Sequence, residues 1–399
     1  MADREKTKRQ FKMVESDTEE LDKKIRRHRL KIVRIVIAVV ALVLLSAGAA
    51  MLIFRMKEYT AYDVIESGER TDTIGAKYIS VWDGVIKYSN DGASYTNYAD
   101  ELIWNQTYEM QEPMVDVCED YVAFAEKGGK KIYILNKEKL QGSVETTMDI
   151  VSARVANQGT VAVLMQKDGI SYIRLYDKSG KNLAGGQIGI ENTGYPLDIA
   201  LSNDAIKLAV TMLDINEGNI KSMVVFYNFG SVGQNEIDHM VGSSSFSGMI
   251  IPQIEFVSND RLLAFGDSEI MIFEGKQKPT LSKEIRLEKE IKSLFYNKNY
   301  FGWIQNNDDE NNTRHMELYD TKGIHILSKD FAMDYDKVEL LPNNEICIQN
   351  QKECLIYNTY GVKHFSGSFD EPLYHVIAGS TGRNYTFIFE DTVEKVRLK

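Results

Sequence analysis

A short motif recurs along the chain and limits what it can become. Residues 173–180 read Ile-Arg-Leu-Tyr-Asp-Lys-Ser-Gly, 316–323 Met-Glu-Leu-Tyr-Asp-Thr-Lys-Gly, 354–361 Cys-Leu-Ile-Tyr-Asn-Thr-Tyr-Gly, and 224–230 a shorter Val-Val-Phe-Tyr-Asn-Phe-Gly. Each is an apolar strand that closes on Tyr, then Asp or Asn, then Gly. Asp, Asn and Gly supply the chemistry that turns one strand into the next. A second signal brackets the first. Pro113, Pro196, Pro252 and Pro372 each stand just before a short apolar run, and Pro is tolerated where a strand begins. Comparable runs without Pro begin near Tyr78, Ile150, Ile291 and Val338. Units of roughly 40 residues with four strands each are the signature of propeller blades.

The expectation is therefore an all-β, eight-bladed β-propeller over residues 78–399, with seven blades as the alternative. One blade cannot bury both of its faces, whereas a closed ring can, and closure removes exposed strand edges. Second-to-third hairpins are expected at Asn90-Asp91-Gly92, Lys127-Gly128-Gly129 and Lys167-Asp168-Gly169. The last unit has room for three strands only. Tyr62–Ser67, within a juxtamembrane segment 55–77, is expected to supply the missing outer strand and lock the ring.

Before the repeats lies a run of 20 uncharged residues, Ile35–Phe54. As a helix it measures roughly 30 Å, the hydrocarbon thickness of a bilayer. Residues 1–34 carry 12 Lys/Arg and 7 Asp/Glu, whereas the whole chain has a net charge of −11. The remainder thus stands at −16. Lys23, Lys24, Arg26, Arg27, Arg29, Lys31 and Arg34 crowd one side of the run. This bias places residues 1–34 in the cytoplasm, 35–54 in the membrane and the rest outside. A cleaved signal peptide is the rival reading, since Ala47-Gly48-Ala49 resembles a cleavage site. The long charged stem and the apolar residues beyond that site weigh against it. The stem itself reads as a solvated helix running into the span, with Ser16 and Glu19 at capping-box spacing.

The chain resembles a family of single-pass, membrane-anchored propeller proteins of anaerobic Gram-positive bacteria, classed as a domain of unknown function. The basic stem and span carry the likeness, with Val85–Gly92, Leu102-Ile-Trp104-Asn105 and Val161–Leu164. The resemblance implies a WD-repeat-like or quinoprotein-like propeller outside the membrane and no known activity. Trp-Asp occurs once, at Trp82-Asp83, and not at the repeating position. The Gly-Lys-x-x-Trp turn of quinone enzymes is missing. Neither group's cofactor or partners carry over.

The chemistry the sequence offers is sparse. It contains no HExxH, GxSxG, phosphate-binding Gly-Lys-Ser/Thr loop or CxxC. No catalytic residue, metal ligand or cofactor is indicated. His239, His315, His325, His364 and His375 read as isolated surface or core residues. Gly242–Gly248, rich in Ser, reads as a flexible loop. Asp214–Asn219 and Asn306–Asn312 are oxygen-rich but lack the ligand order of a calcium loop and read as hairpin tips. If Asn350-Gln351 forms a two-residue turn, Cys347 faces Cys354 across the hairpin and a strained disulfide is possible there.

Extra length sits at 182–195, 214–220, 230–250 and 306–313. Read as second-to-third and fourth-to-first connections, all four open on one face. Insertions confined to one face of a repeat fold mark its binding side. Tyr195, Asp214, Glu217, His239, Phe246, Asp308 and Asp309 are the expected partner contacts. Net acidity disfavours nucleic acid and anionic polymers and favours a basic patch on a partner. The expected function is non-enzymatic protein binding or scaffolding in the cell envelope, with another envelope or membrane protein as partner. A glycan-binding or glycan-cleaving propeller is the alternative.

Overall fold

The computed structural model describes residues 18–70, 75–99, 101–188, 194–216, 218–379 and 381–399, excluding the side chains of 18–21 and 49–55. The chain divides into two units, 1–57 and 58–399.

In the first unit one helix, α1, runs unbroken from Thr18 to Arg55. Its charged start is rich in Lys, Arg and Glu, good helix formers, and its second half is apolar all round. Asp22–Gly48 is long and apolar enough to cross a membrane, and none of it is buried. A membrane anchor and a signal sequence share that description. Ser16, the expected cap, lies outside the described residues.

The second unit is a ring of eight four-stranded antiparallel sheets. The blades occupy 77–107, 113–145, 149–188, 195–247, 253–286, 291–331, 337–368 and, last, 373–398 joined by 62–69. In each blade the strands follow one another from the axis outwards, and first strands touch between blades 2 and 3, 3 and 4, 4 and 5, 6 and 7, and 8 and 1. The expected blade starts fall within one or two residues of the observed ones.

Closure is made by Tyr62–Glu69, which pairs antiparallel with Thr392–Leu398 from Tyr62↔Leu398 to Glu69↔Thr392. Just before it, Tyr59 donates its N–H to His364 O and accepts from Ser366 N, so the same segment also grips blade 7.

The repeated motif has a local cause. Asp177 Oδ1 accepts the backbone N–H groups of Ser179 and Lys181, and Asp320 those of Lys322 and Ile324. Asn97, Asn136 and Asn358 do the same at the corresponding turn. Gly180, Gly323 and Gly361 complete three of these turns at φ +84°, +75° and +76°, where a Cβ is disfavoured.

Between blades the sheets pack face to face. Buried apolar clusters fill seven of the eight seams, each drawing residues from two adjacent blades. The seam between blades 8 and 1 has no such cluster among the described residues. It holds Tyr78 stacked on His375 at 5.6 Å, with Arg70 over Tyr78 and Tyr374.

Three connections differ from expectation. Of 182–195, read as a fourth-to-first connection, Asn182–Ile188 is the fourth strand of blade 3. Residues 229–239 join the third and fourth strands of blade 4, not a fourth strand to the next blade. Met240–Ser247, the Ser-rich stretch read as a flexible loop, is that fourth strand. Its backbone pairs with Asn219–Asn228, so its composition does not matter. The 350–353 turn is also wider than expected. Asn350 Oδ1 accepts from Lys352 N and Glu353 N, which moves the register to Gln349↔Cys354 and Cys347↔Ile356. The cysteines are diagonal rather than opposite. They are free, buried thiols with sulfurs 3.7 Å apart.

Candidate functional site

Strand order fixes two faces. Second-to-third and fourth-to-first connections share one, which we term the hairpin face. First-to-second and third-to-fourth connections share the other.

On the hairpin face two strand pairs overshoot the rest. In blade 4, strand Lys207–Asn216 pairs with the first strand only as far as Leu213↔Tyr195, and continues with Asn219–Asn228. In blade 6, Tyr300–Asp309 pairs with its first strand as far as Gln305↔Ile291, then runs on with Asn312–Asp320. At about 3.3 Å per residue each tip stands roughly 10–13 Å above its first strand. Blade 5, between them, turns back at Gly266–Ser268. The blade 4 tip carries apolar surface: Ile215, 63% exposed, sits opposite Ile220, with Tyr195 exposed below. The blade 6 tip carries Asp308, bonded to Lys289 at 2.6 Å, and Asp309. Of the expected contacts, Tyr195, Asp214, Asp308 and Asp309 thus meet on this face. His239 ends the third-to-fourth connection of blade 4 and lies on the opposite face. Phe246 lies within the outer strand and packs edge-on against Phe273, at 6.3 Å. Glu217 lies outside the described residues.

A second constellation lines the axis, and it escaped the sequence reading. Arg154, on the first strand of blade 3, bridges Asp116 of blade 2 and Asp198 of blade 4 at 3.3 and 3.1 Å. Its Nε donates to Ile199 O. Each carboxylate also accepts a backbone N–H from the next blade: Asp116 from Val155, Asp198 from Ile254. Glu255 of blade 5 follows, with Tyr296 OH donating to it and accepting from Gln253 Nε2.

Burial raises the pKa of Asp116 and Asp198 against the pull of Arg154. Burial, then the two aspartates, pushes Glu255 up to about 8. Burial opposes the charge on Arg154, but the surrounding carboxylates outweigh it and raise its pKa. Three carboxylates thus share one guanidinium, and Glu255 keeps its proton at neutral pH.

The ring continues through Tyr335 OH, which donates to Ser293 Oγ, and through Lys337, which donates to Glu339 and to His375 Nδ1. Burial, with Lys337 beside it, lowers His375 to about 3. Its other ring nitrogen is buried without a partner. Four of the five histidines read as isolated therefore have polar partners, His239 being the exception. His315 and His325 share Glu317, each at 2.8 Å, and His364 Nδ1 meets buried Glu345. No group of three or more metal-ligating side chains comes together among the described residues. What could have pointed to the axial set is a charged or polar residue in each otherwise apolar first strand.

An eight-bladed β-propeller with one candidate transmembrane helix is thus the class that fold and site define. The chain belongs to the family of unknown function DUF5711, whose profile matches residues 55–398. No curated protein matches it in sequence. Among solved structures it is similar to a eukaryotic initiation factor, at 12% identity and TM-score 0.53, over 86% of this chain and 88% of that one. It is also similar to BamB from Moraxella catarrhalis, at 13% identity and TM-score 0.47, over 85% and 100% of the two chains. AztD from Citrobacter koseri matches at 10% identity and TM-score 0.46, over 72% and 84%. The first likeness shows the fold alone.

Proposed function

We propose that this protein is a membrane-anchored, non-enzymatic scaffold that holds a partner protein of the cell envelope against its hairpin face. In this reading α1 spans the cytoplasmic membrane, residues 1–34 are cytoplasmic and the propeller is outside. The flanking charges support that orientation. The observation that carries the binding role is the pair of overshooting hairpins on blades 4 and 6, one apolar at Ile215 and Ile220, one acidic at Asp308 and Asp309. Apolar anchors beside charges suit recognition of a partial, basic protein surface. The glycan alternative wants paired carboxylates and stacked aromatics in an open pocket. Among the described residues, the cavities beside Lys87, His239 and Met240 do not have that lining. Of the axial carboxylates, Asp116 and Asp198 are locked to Arg154, Glu255 accepts from Tyr296 and Glu339 is paired with Lys337.

Photocrosslinking in cells tests the reading, with the crosslinker placed at Ile215, at Asp308 and, as control, at Ser179 on the other face. Capture of one envelope protein from both hairpins, absent from the control and lost in an Ile215→Asp, Ile220→Asp variant, is expected. No capture from either hairpin by a folded, abundant protein would overturn it.

A further inference from the structure

The seam between blades 3 and 4 is open at its outer end, and three separate features shape the opening. The first is a gap in the packing. The outer strands of blades 1, 2, 5, 6 and 7 each turn a large side chain into the seam that follows: Trp104, Val144, Ile285, Leu327 and Phe365. In blade 3 the outer strand, Asn182–Ile188, does so through its last residue, Ile188. The alternate positions towards blade 4 are Ala184 and Gly186, and a Cβ built on Gly186 meets nothing within 4 Å. A cavity of about 580 Å³ results, walled by residues such as Ile173, Leu175, Met212, Met223 and Val225. Ligand pockets of this size and apolar lining are typical of small-molecule sites.

The second feature is the 229–239 insertion, which closes one side. It places Ile237, 85% exposed, against the cavity, and Met240, the first residue of the outer strand, follows it there. The third is backbone strain. Asp238 and His239 are consecutive non-glycine residues at φ +54° and +61°, conformations that persist where surrounding structure or function demands them. They present His239 to a second lobe of about 320 Å³, which shares Leu175 and Phe229 with the first. His239 Nδ1 is buried there without a hydrogen-bond partner.

We propose that this seam is a binding site for an uncharged single-chain amphiphile. Its acyl chain lies between the two sheets, and a hydroxyl on its head meets His239 Nδ1. A hydroxyl both donates and accepts, so it satisfies either tautomer of the ring. No Lys or Arg lines either lobe, and Asp204 and Asp238 do, which disfavours an anionic head. The three methionines, Met212, Met223 and Met240, suit an unbranched, adaptable chain.

The test uses the full chain in nanodiscs and a monoacylglycerol with a diazirine midway along its acyl chain. Photolabel is expected on peptides carrying Met212, Met223 or Met240, and unlabelled monoacylglycerol competes for it. Gly186→Trp fills the cavity from a position whose φ any residue adopts. It should cut that labelling at least tenfold with the melting temperature unchanged or raised. Ile237→Asp, at an exposed position, should lower it without touching the fold and carries the test if the tryptophan variant misfolds. Equal labelling of wild type and both variants would overturn the proposal, as would label confined to α1. Equal competition by a fatty acid of the same length would overturn the uncharged head. Competition by an apolar peptide and not by the amphiphile would make the seam a protein-docking slot instead.

Discussion

Arg154 shows how one side chain ties three blades together. Removing it leaves Asp116 and Asp198 facing each other with no cation between them. An uncompensated, largely buried charge costs about 3–5 kcal/mol, and since the Arg154 side chain keeps 20% of its exposure the lower end applies. Arg154→Met should therefore lose about 3 kcal/mol in denaturant unfolding. Arg154→Lys should recover little, because a lysine cannot bridge both carboxylates and donate to Ile199. Glu255 sets a pH dependence. Its folded pKa of about 8 lies above the ordinary carboxyl value of about 4.3, so between them the folded state holds a proton the unfolded chain has released. That contribution is complete below about pH 4.3 and is lost as pH rises towards 8. His375 has the opposite sign: lowered to about 3, its contribution is complete above about pH 6.5 and is lost as pH falls. Between pH 6.5 and 8 the Glu255 effect stands alone of the two. Glu255→Gln should flatten the decline in unfolding free energy there, and an unchanged slope would refute the assignment. Cys347 and Cys354 make a further test at this scale. Their neighbour contact and burial hold the Cys347 thiol well above its ordinary pKa. Iodoacetamide should leave both untouched in the native protein and modify both after denaturation without reductant, read by mass spectrometry.

At the scale of strands and seams, the ring is unevenly held. Seven seams share apolar clusters, and each Leu, Ile or Phe buried in them contributes about 1.5–3 kcal/mol. The seam between blades 8 and 1 relies on aromatic and cationic contacts instead. Amide hydrogen exchange should therefore be fastest, among the blades, in 77–107, whose loss needs the fewest apolar contacts broken. Uniform protection around the ring would contradict this. Closure was visible in the sequence, because the last repeat was one strand short and Tyr62–Ser67 stood before the first full unit; the observed strand runs to Glu69. The Asx turns were visible too, since Asp177, Asp320 and Asn358 stand in the same place in every copy of the motif. Residues 240–247 were not. An outer strand is held by its backbone on one side and has little core to face, so Gly and Ser serve there as well as Val. The turn at Asn350 was missed for a related reason: one side-chain oxygen accepting two N–H groups shifts the register by two, and nothing in the spacing announces it.

For the molecule as a whole, charge separates the two units. Beyond residue 34 the chain carries an excess of 16 acidic over basic residues. Electrostatic steering of a basic partner falls with ionic strength. The rate of partner capture by the proposed scaffold should drop several-fold between 50 and 300 mM salt, in surface-binding kinetics, while dissociation changes little. A salt-independent association rate would place the apolar hairpin of blade 4, not the acids of blade 6, in control.

Spacing and turn chemistry by themselves determined the eightfold repeat, the place of each blade, the closing strand and the apolar helix. These properties are local in sequence, or periodic along it, and so survive in one dimension. Which residues meet was decided only by tertiary structure. Asp116, Arg154, Asp198 and Glu255 lie 38, 44 and 57 residues apart in turn, and each looks like a polar interruption in an apolar strand. Ring closure brings successive first strands side by side around one axis, and that makes the four a single charged system. The same holds for the seam beside Gly186: a glycine in an outer strand acquires meaning only from the sheet packed opposite it.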